Sequence, residues 1–285
     1  MNAFTKRLTV ADLYPMKTNL LTVTMLILFL SCLPLARGES RREIRNLMEI
    51  GVPILLYHRF GPKAVDSMTV STPVFEAHLE YLKDKGYAVI PLRQLVEYHL
   101  GKRRNLPFQS VVITVDDGHR SVYTNMFPLL KKYRLPVTLL LYPSALSNAT
   151  YAMTWDQLRD MKETGLIEFQ SHTFWHPNFR KDKKTLKPFE YETLVRMQFE
   201  KSKMVLEKQL EIQVNMLAWP FGIYDDDLIR KAVETGYVAA FTMERRHVNA
   251  SDSVMALPRY LMRNEDEGKA FGRMLQGPTR GQIER

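Results

Sequence analysis

The chain has 285 residues, of which 45% are hydrophobic, 25% charged and 11% aromatic. This ordinary globular composition excludes a disordered, collagen-like or coiled-coil protein, and a single cysteine excludes a disulfide framework or a cysteine-rich metal site. The net charge of +9 comes with no nucleic-acid-binding motif, so it means basic surface, suited to solubility and to anionic envelope surfaces.

In chain order, an apolar run from Leu20 to Leu35 follows Lys17 and precedes Ala36-Arg37-Gly38. A basic start, an apolar centre and a small-residue exit predict a secretory signal peptide over residues 1–38, cut before Glu39. The run is only slightly shorter than the ~20 residues of a spanning helix, so an uncleaved membrane anchor is the alternative. Met16 gives a more typical start for such a segment than Met1. The expectation is an exported protein, periplasmic or extracellular, with residues 39–285 as one catalytic domain. Cys32 leaves with the signal, which suits an oxidising compartment.

From Val52 onward, short apolar runs alternate with amphipathic stretches. Strands are predicted at Val52–Tyr57, Ala88–Ile90, Ser110–Val115, Val137–Tyr142, Ile167–Gln170, Val214–Ala218 and Val238–Thr242. Helices are predicted at Pro73–Lys85 with Thr72 as N-cap, Leu92–Leu100, Ser121–Tyr133, Thr154–Thr164, Glu190–Glu211, Asp225–Thr235 and Glu265–Leu275. Arg180–Lys187 and the tail from Gly277 read as solvated basic loops. Such alternation over this length predicts an α/β fold with a parallel sheet closed into a barrel; an open doubly wound sheet is the runner-up.

Chemistry in such folds gathers at the C-terminal ends of the strands. Four predicted strands end in unusual residues: His58; Asp116-Asp117-Gly118; His172-Thr173-Phe174-Trp175-His176; and Trp219-Pro220-Phe221-Gly222. Two adjacent carboxylates after a buried strand repel each other and lose hydration, which a cation relieves, although Asp-Gly is also a common turn dipeptide. His172 and His176, four residues apart, can face one ion. With one carboxylate they make a set suited to a catalytic zinc-type site with open positions. A nucleophile elbow, an H-E-x-x-H helix, a P-loop and a dinucleotide fingerprint are all missing. Of the other histidines, His78 and His99 fall on predicted helices as surface or packing residues, while His119 could line the site.

These segments resemble the polysaccharide deacetylases, the NodB-homology group or carbohydrate esterase family 4. Thr114-Val115-Asp116-Asp117-Gly118 looks like the family's T-F-D-D-G motif, Ser171–His176 like S-H-T-x-x-H, and Ala218–Gly222 like R-x-P-Y-G. The resemblance runs from about Pro53 to Arg259. It implies a distorted (β/α)7 barrel that removes acetyl groups from sugar polymers with a divalent metal, Zn²⁺ foremost, with Co²⁺ or Ni²⁺ as alternatives. It also implies that Asp117, His172 and His176 bind the metal, that Asp116 is the general base, and that Phe221 offers its backbone N–H to the oxyanion.

The sequence departs from the family at two places. Ala218 stands where the family has an arginine that braces the base, and the late L-x-H motif reads Leu257-Pro258-Arg259. An early Leu56-Tyr57-His58 resembles instead the circularly permuted branch, typified by deacetylases of poly-β-1,6-N-acetylglucosamine. There His58 would be the acid, and Arg259 would brace Asp116. Trp175, Trp219, Tyr57 and Phe221 could face sugar rings, or equally could pack the core. The expected partner is an N-acetylated polysaccharide of the poly-N-acetylglucosamine type. Peptidoglycan, chitin oligomers, an O-acetylated glycan and non-catalytic carbohydrate binding are the alternatives. No nucleic acid is expected, and membrane association would come through the N-terminal segment if it stays attached.

Overall fold

A computed structural model describes residues 51–277. The expected signal peptide at 1–38, Cys32 and residues 278–285 lie outside the described residues. Among the described residues, no helix is long and apolar enough to cross a membrane.

The strands are β1 (Ile54–Tyr57), β2 (Arg59–Gly61), β3 (Thr69–Ser71), β4 (Ala88–Val89), β5 (Ser110–Asp117), β6 (Val137–Leu141), β7 (Ile167–Ser171), β8 (Met216–Ala218), β9 (Ala239–Phe241) and β10 (Tyr260–Leu261). Seven pair in parallel in the order β10-β1-β5-β6-β7-β8-β9, and β4 adds to β5. Just before β10, Leu257 makes a parallel bridge to Phe241 of β9, while Tyr260 and Leu261 pair with β1. One short segment thus touches both edges of the sheet and ties it into the expected distorted (β/α)7 barrel.

Side chains alternate across a strand, so register decides what each residue faces. Ile54 pairs with Val112, Leu56 with Thr114, Asp116 with Leu140, and Leu140 with Gln170. Ile54, Val112, Leu140, Met216, Ala239 and Phe241 of this parity form one buried cluster with Leu257. The opposite parity, including Leu55, Tyr57, Ile113, Val115, Phe169, Leu217 and Trp219, packs in the larger cluster with the surrounding helices. The smaller-cluster parity runs on through Leu56 to His58, through Thr114 to Asp116 and through Gln170 to His172. Apolar floor therefore becomes polar mouth along the same face of each strand.

Most predicted elements recur with shifted ends, and the differences have local causes. The first helix runs Thr72–Asp84, and its cap is Ser71, whose hydroxyl accepts from Val74 N. Thr72, expected to be that cap, instead donates to the Gly61 carbonyl at 3.0 Å. The stretch Arg180–Lys187, expected to be a loop, holds the helix Phe179–Thr185, capped by Asn178, followed by a helix at Pro188–Leu210. The expected helix Ser121–Tyr133 opens with a π-helical turn at Val122–Met126 before becoming α-helical. His78 is buried as a packing residue on the first helix: it accepts from the Tyr57 hydroxyl at 2.9 Å, donates to the Asp266 carbonyl at 2.5 Å and stacks on Phe271.

Candidate metal centre and active site

Asp116 and Asp117 end β5, and alternation alone would point them to opposite faces. The backbone at Asp117 breaks that alternation with φ of 75°, followed by Gly118 at 89°. A Cβ at Gly118 would sit tightly against Leu141 Cδ2 at 3.0 Å and Leu146 Cδ2 at 3.1 Å, and the positive φ itself favours glycine. As a result both carboxylates reach one imidazole: His172 Nε2 lies 3.7 Å from Asp116 Oδ2 and 3.7 Å from Asp117 Oδ1. His176 Nε2 lies 4.0 Å from the same Asp117 oxygen.

The loop after β7 carries the second histidine through two more left-handed residues, Thr173 at φ 66° and His176 at 63°. Such strain persists only where surroundings fix it. Here Gln198, fully buried on the helix Pro188–Leu210, accepts from both Phe174 N and Trp175 N at 3.0 Å. Ser202, one turn on, meets Ser171 at 2.8 Å, and Ser171 in turn accepts from Thr173 N. These supports were missed in the sequence, although two polar residues four apart on the buried stripe of a long helix were the available signal.

One ligand atom each from Asp117, His172 and His176 lies within 4.8 Å of the others. The donor set suits a divalent cation: two imidazoles and a carboxylate, leaving further positions open. His172 Nδ1–H donates to the Ala218 carbonyl at 2.9 Å, which leaves the Nε2 lone pair facing the carboxylates. Burial lowers the His172 pKa to about 3 and lowers that of His176, which favours the neutral, ligating form of each. Burial, reinforced by the Asp116 charge, pushes the Asp117 carboxyl up.

Asp116 sits in a different environment. Burial alone would raise its pKa, but the Arg259 charge and hydrogen bonds, with His172, hold it at about 2. Arg259 reaches Asp116 in a fork, Nη1 at 2.8 Å and Nη2 at 2.7 Å, and its Nε donates to the Thr242 carbonyl at 3.0 Å. Arg259 is fully buried and lies between Leu257, which bridges β9, and Tyr260, which starts β10. The late arginine therefore occupies the bracing place that Ala218 cannot fill.

His58 follows β1 directly and is buried, and its Nδ1 has no hydrogen-bond partner among the described residues. Its pKa is lowered on balance: burial outweighs the charges of Asp116 and Asp117, which push the other way. Phe221 is half exposed, holds φ of 55°, and sets its ring 4.5 Å from that of His176. Trp175 is also exposed. Trp219 corrects the expectation of a sugar-facing ring: it is fully buried, donates its indole N–H to the Met255 carbonyl and packs against Phe199 and Tyr224. Its parity in β8 turns it toward the helices. Tyr57 is buried for the same reason.

Tyr142 and Tyr151 were not anticipated. Tyr142 lies 5.7 Å from His176, its hydroxyl meets that of Tyr151 at 2.9 Å, and Tyr151 stacks on His119 at 6.3 Å. With Phe221 they form an aromatic arc beside the two metal-facing histidines. His119 itself bonds Ser121, at the end of that arc.

Fold and site together define an α/β-barrel hydrolase with a cation-suited Asp-His-His set at its mouth. Residues 103–240 match the polysaccharide deacetylase family model, which marks this stretch as a polysaccharide deacetylase domain, a hydrolase type acting on carbon–nitrogen bonds. The chain is 24% identical over 273 residues to a poly-β-1,6-N-acetyl-D-glucosamine N-deacetylase of Staphylococcus epidermidis, covering 88% of this chain and 94% of that one. To the enzyme of the same description from Staphylococcus aureus it is 26% identical over 214 residues, 74% of this chain and 73% of the other. Among solved structures, the Streptococcus pyogenes deacetylase PplD in complex with acetate superposes with a TM-score of 0.71 at 24% identity, covering 80% of this chain and 99% of that one. IcaB from Ammonifex degensii gives 0.70 at 24% identity, covering 80% and 97%.

Proposed function

We propose that residues 39–285 form an exported catalytic domain that removes N-acetyl groups from a poly-β-1,6-N-acetylglucosamine type of polysaccharide at the cell envelope, using Zn²⁺. The observation that carries this reading is the joint placement of His58 and the Arg259–Asp116 pair around the Asp-His-His set. It joins a first-strand histidine to a last-strand arginine, the arrangement implied by the permuted branch. The relatives named above, described as acting on that polymer, support the glycan choice.

Asp117, His172 and His176 would hold the cation, which when bound lowers the pKa of a water and polarises an acetyl carbonyl. Asp116 takes a proton from the attacking water, and Arg259 keeps the carboxylate ionised and aimed. The backbone N–H of Phe221 donates to the oxygen that gains charge. Protonated His58 delivers a proton to the nitrogen as the C–N bond breaks, giving acetate and a free amine. The buried Nδ1, without a partner among the described residues, is available for such a contact. The exposed rings of Trp175 and Phe221 supply apolar faces for the sugar.

The test is acetate release from β-1,6-linked N-acetylglucosamine oligomers, chitin oligomers, peptidoglycan fragments and an O-acetylated glycan, with and without chelator. The expected result is greatest release from the β-1,6 oligomers, abolished by chelation and restored by Zn²⁺ or Co²⁺. Full activity after confirmed metal removal overturns the metal site, preference for another glycan overturns the substrate, and binding without release favours a carbohydrate-binding protein.

A further inference from the structure

A cavity of about 220 Å³ lies between the helix Phe179–Thr185 and the segment Ile223–Leu228. It is smaller than the ~300 Å³ at which drug-sized pockets begin, so it suits one sugar ring or its substituent rather than an oligomer. Its walls continue the two loops that build the metal centre. Phe179 follows His176 by three residues and Ile223 follows Phe221 by two, and the rings of His176 and Phe221 meet at 4.5 Å. A polymer bound across the mouth can therefore place a neighbouring residue in this cavity.

The lining is cationic. Arg180, Lys183 and Lys184 all contribute, against the single carboxylate of Asp225. Asp225 is engaged already: it accepts from Lys183 Nζ at 2.7 Å and from Leu228 N at 2.9 Å as the cap of the helix Asp226–Glu234. Arg180 and Lys184 are exposed and make no ion pair among the described residues. The lining includes Tyr191, 6% exposed, whose buried hydroxyl has no hydrogen-bond partner among the described residues. A buried hydroxyl left single carries a desolvation cost that a ligand can remove. Tyr224 adds an aromatic wall that is only partly covered.

We propose that this cavity is an accessory subsite for a glycan residue carrying an anionic substituent, with Arg180 and Lys184 meeting the charge and Tyr191 bonding a sugar oxygen. The role as a subsite rests on the deacetylase reading; the anion preference rests on the lining alone. The same charges disfavour a residue that already carries a free ammonium, so the subsite biases the enzyme away from stretches it has finished.

Binding is measured by calorimetric titration of the full chain in chelator, which stops turnover, with three β-1,6-linked N-acetylglucosamine hexamers: unmodified, O-succinylated and O-phosphorylated. At least one anionic hexamer should bind roughly tenfold tighter than the neutral one at low salt, the scale of two partly exposed ion pairs. The gap should close at high salt, and which anionic hexamer shows it identifies the anion as carboxylate or phosphate. Arg180→Gln with Lys184→Gln should erase the gap. Tyr191→Phe should raise the Tm of the free protein while weakening binding of the favoured hexamer, opposite signs that a purely structural tyrosine would not give. Equal binding of all three hexamers, or a gap that survives the double substitution, overturns the proposal. Acetate release from the neutral hexamer without chelator tests the deacetylase reading separately, and its failure leaves the titration interpretable.

Discussion

On one side of the barrel mouth, Asp116 and Arg259 meet at 2.8 and 2.7 Å, and the guanidinium is tied again to the Thr242 carbonyl. On the other, Asp117 lies 3.7 Å from His172 and 4.0 Å from His176, too far apart for hydrogen bonds. The two sides are one residue apart in sequence and share the end of β5. The first is electrically complete within the protein. The second gathers two imidazole nitrogens and a carboxylate oxygen, a donor set that suits a divalent cation. A buried ion pair and a cation-suited donor set thus divide the labour: one fixes the charge state of Asp116, the other offers ligand atoms beside it.

The sharpest way to break this comparison is at Asp117. Asparagine tolerates the left-handed backbone that Asp117 adopts, so Asp117→Asn removes charge with little change of shape. Metal content by elemental analysis and acetate release should both fall to background, while urea unfolding of the metal-free protein stays close to the parent. Retained metal would show that the set is not the centre. Next in size, His58→Ala should lower kcat on an N-acetyl sugar by roughly 10²–10⁴-fold, with metal content unchanged and the alkaline limb of the rate profile gone. An activated ester, whose leaving group needs no proton, should lose far less; equal losses on both substrates would remove His58 from the acid role.

On the complete side, Arg259→Met leaves a buried carboxylate alone and should cost about 3–5 kcal/mol in urea unfolding. Adding Asp116→Leu should recover most of that stability without recovering activity. A single substitution with no stability cost would mean that the pair is not closed as described. The smallest effect concerns His78, behind β1. Burial lowers its pKa to about 4, below the ~6.5 of an unfolded histidine. The folded state therefore disfavours the proton. Its contribution is fully present above pH 6.5 and declines as pH falls from 6.5 toward 4, by at most about 3 kcal/mol. His78→Gln should flatten the stability curve across that window, and identical slopes for variant and parent would refute the assignment.

Much of this was legible in the sequence because strand ends carry both periodicity and chemistry. His58, Asp116 and His172 continue the parity of Ile54, Val112 and Leu140, so buried alternation aims them at the mouth. The same parity places Trp219 with Leu217 on the helix side, which the aromatic reading overlooked. Asp117 breaks the parity, and only its backbone shows how it joins the set. The strands β2 and β3, three residues each, are too short to carry a period. The helix Phe179–Thr185 buries Phe179 alone among charged neighbours, so it offered no apolar stripe to read. Gln198 and Ser202 act through loops distant in sequence, which local pattern cannot show.

The segment from Leu257 to Leu261 closes the ring and carries Arg259, and that ties the site to the order in which the chain is made. Asp116 waits for a partner 143 positions downstream. Until that partner emerges and docks, enclosing the carboxylate costs several kcal/mol with no compensating charge. Such a long-range contact is also slow to form. A chain released before residue 259 would hold the β5 carboxylates, His172, His176 and His58, yet its barrel edge would stay open and Asp116 would lack its partner. Assembly and activation are therefore one late event, and a product truncated just short of the last strand presents unpaired sheet edge rather than partial enzyme.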